Sequence, residues 1–236
     1  MMRGLVFPPG VSLYAHDNRH VLAQSLAQQI AIWLQGALSV KPRALLAVAA
    51  GRTPITCMQV LSRIALDWAR VDVVLTDDRW VEEFHIDSHG ASVKQHLLQN
   101  QAAAARFIAL KTPDDTAKSG CARLEPQLRQ LHWPVDVLVL GMGSEGHIAG
   151  LFPFARGLDE ALSTDAKIAA LTPPKAPHER ISLSLSVLKS AKHKVLFFNG
   201  ASKSITMSKA LDEVDDVKSM PVRGLLEEEL MIYWSP

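Results

Sequence analysis

Short apolar runs alternate along this chain with stretches whose apolar residues recur at helical spacing. Ala44 to Ala49, Val71 to Leu75 and Val137 to Leu140 are continuously apolar, or nearly so, as strands covered on both faces of a parallel sheet must be. Val195 to Asn199 and Met231 to Trp234 supply two more strands, and a short one precedes the first helix. Asp17 or Asn18 can cap a helix to about Gln35, along which Val21, Leu22, Leu26, Ile30 and Leu34 fall near helical spacing. Further helices are expected from Pro54 to Leu66, from a Ser88 cap to about Asn100, from Asp114 to Leu131 and from Ala201 to Leu211. Ile181 to Leu185 alternates apolar and polar residues as a strand does, and Phe154 to Pro177 is expected to be a loop-rich excursion.

Strand and helix in alternation predict an α/β fold. The expected form is a three-layer α/β/α sandwich on a mostly parallel, Rossmann-like sheet, a single domain over 1–236 with right-handed crossovers. In such a sheet, ligands bind beyond the carboxyl ends of the strands. Four polar loops are expected on that rim: Gly51-Arg52-Thr53, Asp77-Asp78-Arg79, Gly143 to His147, and Gly200 to Lys203. The third follows the buried strand at Val137 and presents one histidine, His147, among Gly141, Gly143 and Gly146. Those glycines match the dinucleotide fingerprint G-x-G-x-x-G, but Pro153 arrives too soon for the phosphate-binding helix. No strand leads into Asp159 or Glu160, which stand where the acidic partner would be. Nicotinamide binding is therefore set aside.

Composition narrows the partners. The 236 residues are 48% hydrophobic, enough for a sizeable core, and 25 basic against 24 acidic residues leave a net charge of +1. That balance gives no electrostatic footprint for nucleic acid or a membrane surface, so a small-molecule partner is expected. Cys57 and Cys121 form neither a disulfide framework nor a zinc motif, and a reducing compartment fits them. No signal segment or membrane span is visible, so a cytoplasmic protein is expected. His85 and His89 lie four apart, yet no acidic ligand pattern such as H-E-x-x-H accompanies them, so no metal is expected.

The rim loops suggest chemistry, each with a plainer alternative. Gly51, Arg52 and Thr53 before a helix offer backbone N–H groups, a hydroxyl and a guanidinium to a phosphate; Thr53 could equally cap that helix. Arg180 and Lys203 fall near the same rim, although either could be a solvated surface charge. Asp77-Asp78-Arg79 sets a carboxylate pair beside a guanidinium, or caps a turn before Trp80. His147 suits proton transfer, with Glu145 two residues earlier able to fix its tautomer or to face water.

Taken in order, these segments resemble the 6-phosphogluconolactonase family, which shares its fold with glucosamine-6-phosphate isomerase/deaminase. Where members carry S-G-G-S-T-P, this chain has Ala49 to Pro54; where they carry D-E-R-W-V, it has Asp77 to Val81. Gly141 to Pro153 matches G-M-G-x-D-G-H-T-A-S-L-F-P, Pro173 to Leu183 looks like P-K-P-P-x-x-R-I-T-L, and Asn199 to Lys203 looks like G-x-x-K. The resemblance implies hydrolysis of 6-phosphogluconolactone in the oxidative pentose phosphate pathway, without a cofactor, by a monomer or homodimer. It assigns His147 as general base and acid, with Glu145, Asp77 and Arg79 catalytic beside it. Gly51, Arg52, Thr53, Arg180 and Lys203 would hold the phosphate, and the Gly143 and Gly146 loop backbone, or Arg79, would stabilise the oxyanion.

The chain departs from the family at Ala50, Arg52, Asp78, His89 and Glu145, where Gly, Ser, Glu, Asn and Asp are usual. The rival amino-sugar phosphate isomerase/deaminase carries H-I-A-F-N-E-P. Ile148-Ala149 agree with it, but Gly150 to Pro153 lacks its carboxylate. A non-catalytic sugar-phosphate sensor would keep the phosphate contacts and not need His147, but no effector module is visible.

Overall fold

The computed structural model describes residues 2–226 and 229–236. Among them the strands, in chain order, are β1 (Val11–Ala15), β2 (Ala44–Val48), β3 (Val71–Leu75), β4 (Asp77–Arg79), β5 (Arg106–Ile108), β6 (Val137–Leu140), β7 (Ile168–Leu171), β8 (Arg180–Leu183), β9 (His193–Asn199) and β10 (Leu230–Ser235). The helices are α1 (Arg19–Val40), α2 (Ile55–Leu61), α3 (His89–His96), α4 (Ala117–Leu128), α5 (Leu158–Ser163), α6 (Leu185–Ser190) and α7 (Ala201–Asp212). Seven strands make one wholly parallel sheet in the order β1-β10-β9-β6-β2-β3-β5. In β2, β3 and β6 every residue is buried, which explains their lack of alternation.

Local chemistry sets the helix ends. Asn18, extended at φ −153°, accepts hydrogen bonds from the backbone N–H groups of His20 and Val21 and so starts α1. That helix continues past Gln35 to Val40, burying Leu38, and stops at Lys41, whose extended conformation (φ −131°, ψ 150°) suits the residue before Pro42. By contrast α2 ends at Leu61 instead of Leu66. The chain turns there to bury Trp68, whose indole N–H donates to the Ile64 carbonyl at 3.0 Å.

Two sequence expectations are corrected. The polar run Asp77-Asp78-Arg79 is a strand, pairing antiparallel with β8, and β8 pairs antiparallel with β7 in a second sheet, β4-β8-β7. The Phe154 to Pro177 stretch holds α5 and β7 as well as loops. β4 is a polar run that becomes a strand by pairing with β8, whereas β7 is a four-residue apolar run, Ile168 to Leu171, that was passed over within a stretch read as loop. β5, only three residues long, was also without signal.

A single apolar cluster reaches from Met2 to Trp234. α1 packs with α2 and across β2, β6 and β10, while α4 and α5 pack on β7 of the smaller sheet. Truncating a fully buried side chain such as Leu46 would cost about 2–5 kcal/mol. No helix among the described residues is long and apolar enough to cross a membrane.

Candidate active site

The carboxyl ends of β2, β3, β6 and β9 and the small sheet enclose a cleft of about 310 Å³. It is lined by Gly51, Arg52, Thr53, Asp77, Arg79, Gly143, His147, Arg180 and Lys203, all but two of the residues singled out from the sequence. Gly146 and Glu145 lie just behind His147. The four rim loops, scattered over 150 residues, thus converge on one space.

The β6 loop is shaped around the imidazole. Gly146 has φ +80°, a conformation that favours glycine, and its carbonyl accepts from the Val222 N–H at 2.9 Å. A Cβ on Gly143 would sit 2.0 Å from His147 Nδ1, so the ring can fold back only over a glycine. The rejected fingerprint fails in space as well: no helix follows the loop, which runs on through turns and a short bridge between Ile148 and Leu151. The Gly150 N–H donates to Ser182 Oγ at 3.0 Å and ties the loop to β8.

His147 Nδ1 lies 3.0 Å from Glu145 Oε1. Held down to about 2 by that bond against the opposing effect of partial burial, the Glu145 carboxyl is ionised at neutral pH and accepts the proton of Nδ1. Nε2 of the neutral ring therefore carries the lone pair. The opposite support is Phe152, stacked on the imidazole with centroids 3.9 Å apart. The longer Glu145, where Asp is usual, still reaches the ring.

Arg180 also lies over the Phe152 ring, its guanidinium carbon 5.5 Å from the centroid. Only 5% exposed, it has two nitrogens, Nε and Nη1, with no hydrogen-bond partner. Burial pulls its pKa below the usual guanidinium range, although Asp77 opposes this. Arg79 Nε is likewise buried without a partner. Burial also lowers the Lys203 ammonium on the first turn of α7, against the attraction of Glu145. Thr53 does not cap α2: Pro54 holds that position and no side chain bonds the helix end. Positive φ in this loop falls on Gly51 (+127°) and not on Ala50, so the Ala50 departure costs no backbone strain.

Three contacts differ from the sequence expectations. Gly143 N–H donates to the His147 carbonyl at 2.9 Å and Gly146 N–H to the Gly143 carbonyl at 3.2 Å. Both amides are spent inside the loop, so neither is a free oxyanion donor. Arg79 does not pair with Asp77; its Nη1 donates to the Asp87 carbonyl at 2.7 Å. Asp78 is a structural carboxylate, accepting from the N–H groups of Arg79, His89 and Gly90 and so fixing the start of α3.

His89, noted in the sequence only as a departure from the family and beside His85, also lines the cleft. Its Nδ1 lies 3.0 Å from the Asp77 carbonyl and 3.6 Å from Asp77 Oδ1. Burial would raise the Asp77 carboxyl, but His89, Arg180 and His147 together hold it below its usual range. The available signal was the histidine following the Ser88 cap, where the resembling family has Asn. His85 and His89, from whose spacing no metal was expected, part in space: His89 enters the cleft, while His85 turns to Asp87 and His178.

The family model for glucosamine-6-phosphate isomerases/6-phosphogluconolactonase matches residues 17–234. A 6-phosphogluconolactonase of Pseudomonas aeruginosa is 41% identical over 234 residues, 98% of each chain. One from Pseudomonas putida is 36% identical, covering 98% of this chain and 96% of its own. The crystal structure of a 6-phosphogluconolactonase from Shewanella baltica superposes with a TM-score of 0.94 at 37% identity, covering 96% of this chain and 98% of that one.

Proposed function

Because the chain belongs to the glucosamine-6-phosphate isomerase/6-phosphogluconolactonase family, we propose that His147 drives its reaction, the hydrolysis of 6-phospho-D-glucono-1,5-lactone to 6-phospho-D-gluconate. The observation that carries this reading is the imidazole set between Glu145 and Phe152, facing a cleft whose cationic donors lack partners.

In this reading Nε2 takes a proton from water as its oxygen attacks the lactone carbonyl carbon. The carbonyl oxygen becomes an oxyanion. Collapse of that intermediate breaks the bond from carbon to the ring oxygen, which receives the proton from His147, leaving the open-chain acid. General base and acid catalysis of this kind supplies about 10²–10⁴-fold. Glu145 stabilises the imidazolium formed between the two steps. With the Gly143 and Gly146 amides engaged, Arg79 Nε is assigned to the oxyanion, which leaves Arg180, Lys203, Thr53, Arg52 and the Gly51 backbone for the phosphate. Anchoring that dianion fixes the lactone carbon beside His147. Asp77 is assigned to holding the charge of His89 and Arg180 in place. The same reading makes this a pentose phosphate pathway enzyme that needs no cofactor, nucleic acid or membrane, working in the cytoplasm as a monomer or homodimer.

The deaminase alternative is weakened at Phe152. Apolar contact occupies the face of His147 where that chemistry would want a second carboxylate. The deciding assay supplies both substrates to the full chain. We expect hydrolysis of lactone generated in situ, above the spontaneous rate, and no ammonia from glucosamine 6-phosphate. Ammonia release without lactone hydrolysis would overturn the assignment, and binding of 6-phosphogluconate with neither activity would indicate a sensor.

A further inference from the structure

We propose that His85, Asp87 and His178 form a binding site for a divalent transition-metal ion of the zinc class, outside the catalytic cleft. β4 leaves the small sheet at Arg79 directly opposite Arg180, where β8 enters it. The loop after β4 and the loop before β8 therefore emerge side by side, and residues about ninety apart in sequence meet. One candidate ligand atom from each side chain lies within 4.8 Å of the others. Asp87 Oδ2 is 3.2 Å from His178 Nε2 and 3.9 Å from His85 Nδ1. Donors around a tetrahedral ion with bonds of about 2.0–2.1 Å stand roughly 3.3 Å apart. One edge already has that spacing, and the other two need a short inward movement of the exposed His85 side chain.

Two imidazoles and one carboxylate suit zinc, cobalt or nickel, whereas magnesium and calcium prefer all-oxygen sets. The ring states are also suitable. His85 Nδ1 accepts the Asp87 N–H at 3.0 Å, so it carries the lone pair that an ion would take over. His178 Nε2 faces the Asp87 carboxylate and would release its proton on binding. The carboxylate is well placed because its own backbone is tied: the Asp87 carbonyl accepts from Arg79 Nη1 at 2.7 Å. His178 is held at φ +72°, an uncommon conformation for a residue with a side chain, which aims its ring at Asp87. No metal was expected from the spacing of His85 and His89; folding sets His85 beside Asp87 and His178 instead.

The test titrates the chelator-stripped full chain with Co²⁺, read by its visible absorption, and with Zn²⁺ in competition with a chromophoric chelator. We expect uptake of one ion per chain, weakened by about tenfold or more in Asp87→Asn and in His178→Gln, and unchanged in His147→Ala. His85→Gln alters an exposed side chain and keeps the test decisive should either of the other ligand variants misfold. The proposal is overturned if no ion is taken up, if these ligand variants bind as wild type does, or if His147→Ala abolishes binding, which would put the ion on the catalytic histidine.

Discussion

At the amino ends of the central strands, Asp72 and Asp136 are buried carboxylates with every oxygen engaged. Asp72 is bridged by Arg43 and Arg106, and Asp136 by Lys41, Lys192 and the Leu45 N–H. At the carboxyl ends of the same strands and in the small sheet above them, the half-buried Arg79 keeps a shielded Nε, and the buried Arg180 keeps Nε and Nη1, that meet no acceptor. Closed ion pairs stabilise the fold, whereas open buried donors oppose it by about 1–3 kcal/mol each unless a ligand supplies the acceptor. The difference teaches where to look for function: at the end of the sheet whose charges remain unanswered. It also predicts that substitutions at the two ends act on different observables.

The largest effect on stability is expected at the closed end. Asp136→Ala strands Lys41 and the Leu45 amide and should cost about 3–5 kcal/mol in denaturant unfolding, with kcat of the folded fraction unchanged. A large loss of kcat in the folded variant would break the separation of the two ends. Next is Gly143→Ala, whose new methyl meets the His147 ring. Displacement by about 1 Å should lower kcat by roughly 10²-fold with little change in unfolding. Arg180→Leu removes buried donors that only a ligand can satisfy. KM should rise about 10- to 100-fold, from the 1.5–3 kcal/mol of a charged hydrogen bond, while the melting temperature stays level or rises.

Smallest is the acid limb. The Glu145 carboxyl falls from its ordinary 4.5 to about 2 on folding, so its contribution is fully present above pH 4.5 and is lost as pH drops towards 2. Thermal melts of wild type should decline more steeply across that window than those of Glu145→Gln. The difference should be modest, because the side chain is 46% exposed. Parallel curves would show that the contact with His147 adds nothing to the folded state.

How much of this the sequence could reveal follows from the range of each interaction. β2, β3 and β6 were legible because burial on both faces imposes unbroken Val, Leu and Ala. β4 was not, because its polar run becomes a strand only by pairing with β8, about a hundred residues away, while the four apolar residues of β7 were too few to stand out from a stretch rich in loops. In the site, Glu145 and His147 could be read together because they stand two positions apart in one turn. Arg79 meeting Asp87, and His89 meeting Asp77, depend on how the loop after β4 folds back. Neither spacing nor periodicity encodes that return. The Gly143 and Gly146 amides show a related gap: a glycine loop announces exposed backbone, but only the folded loop shows that these two N–H groups are already used.

The most direct test of the central claim, that phosphate anchoring and proton transfer are separate tasks of one cleft, is made on His147→Ala. Its lactone hydrolysis above the spontaneous rate and its affinity for 6-phosphogluconate are measured on the same folded sample. The account predicts hydrolysis reduced by about 10²–10⁴-fold with product binding kept close to wild type. Hydrolysis that persists near the wild-type rate would contradict it, because the group that activates water would then lie elsewhere in the cleft.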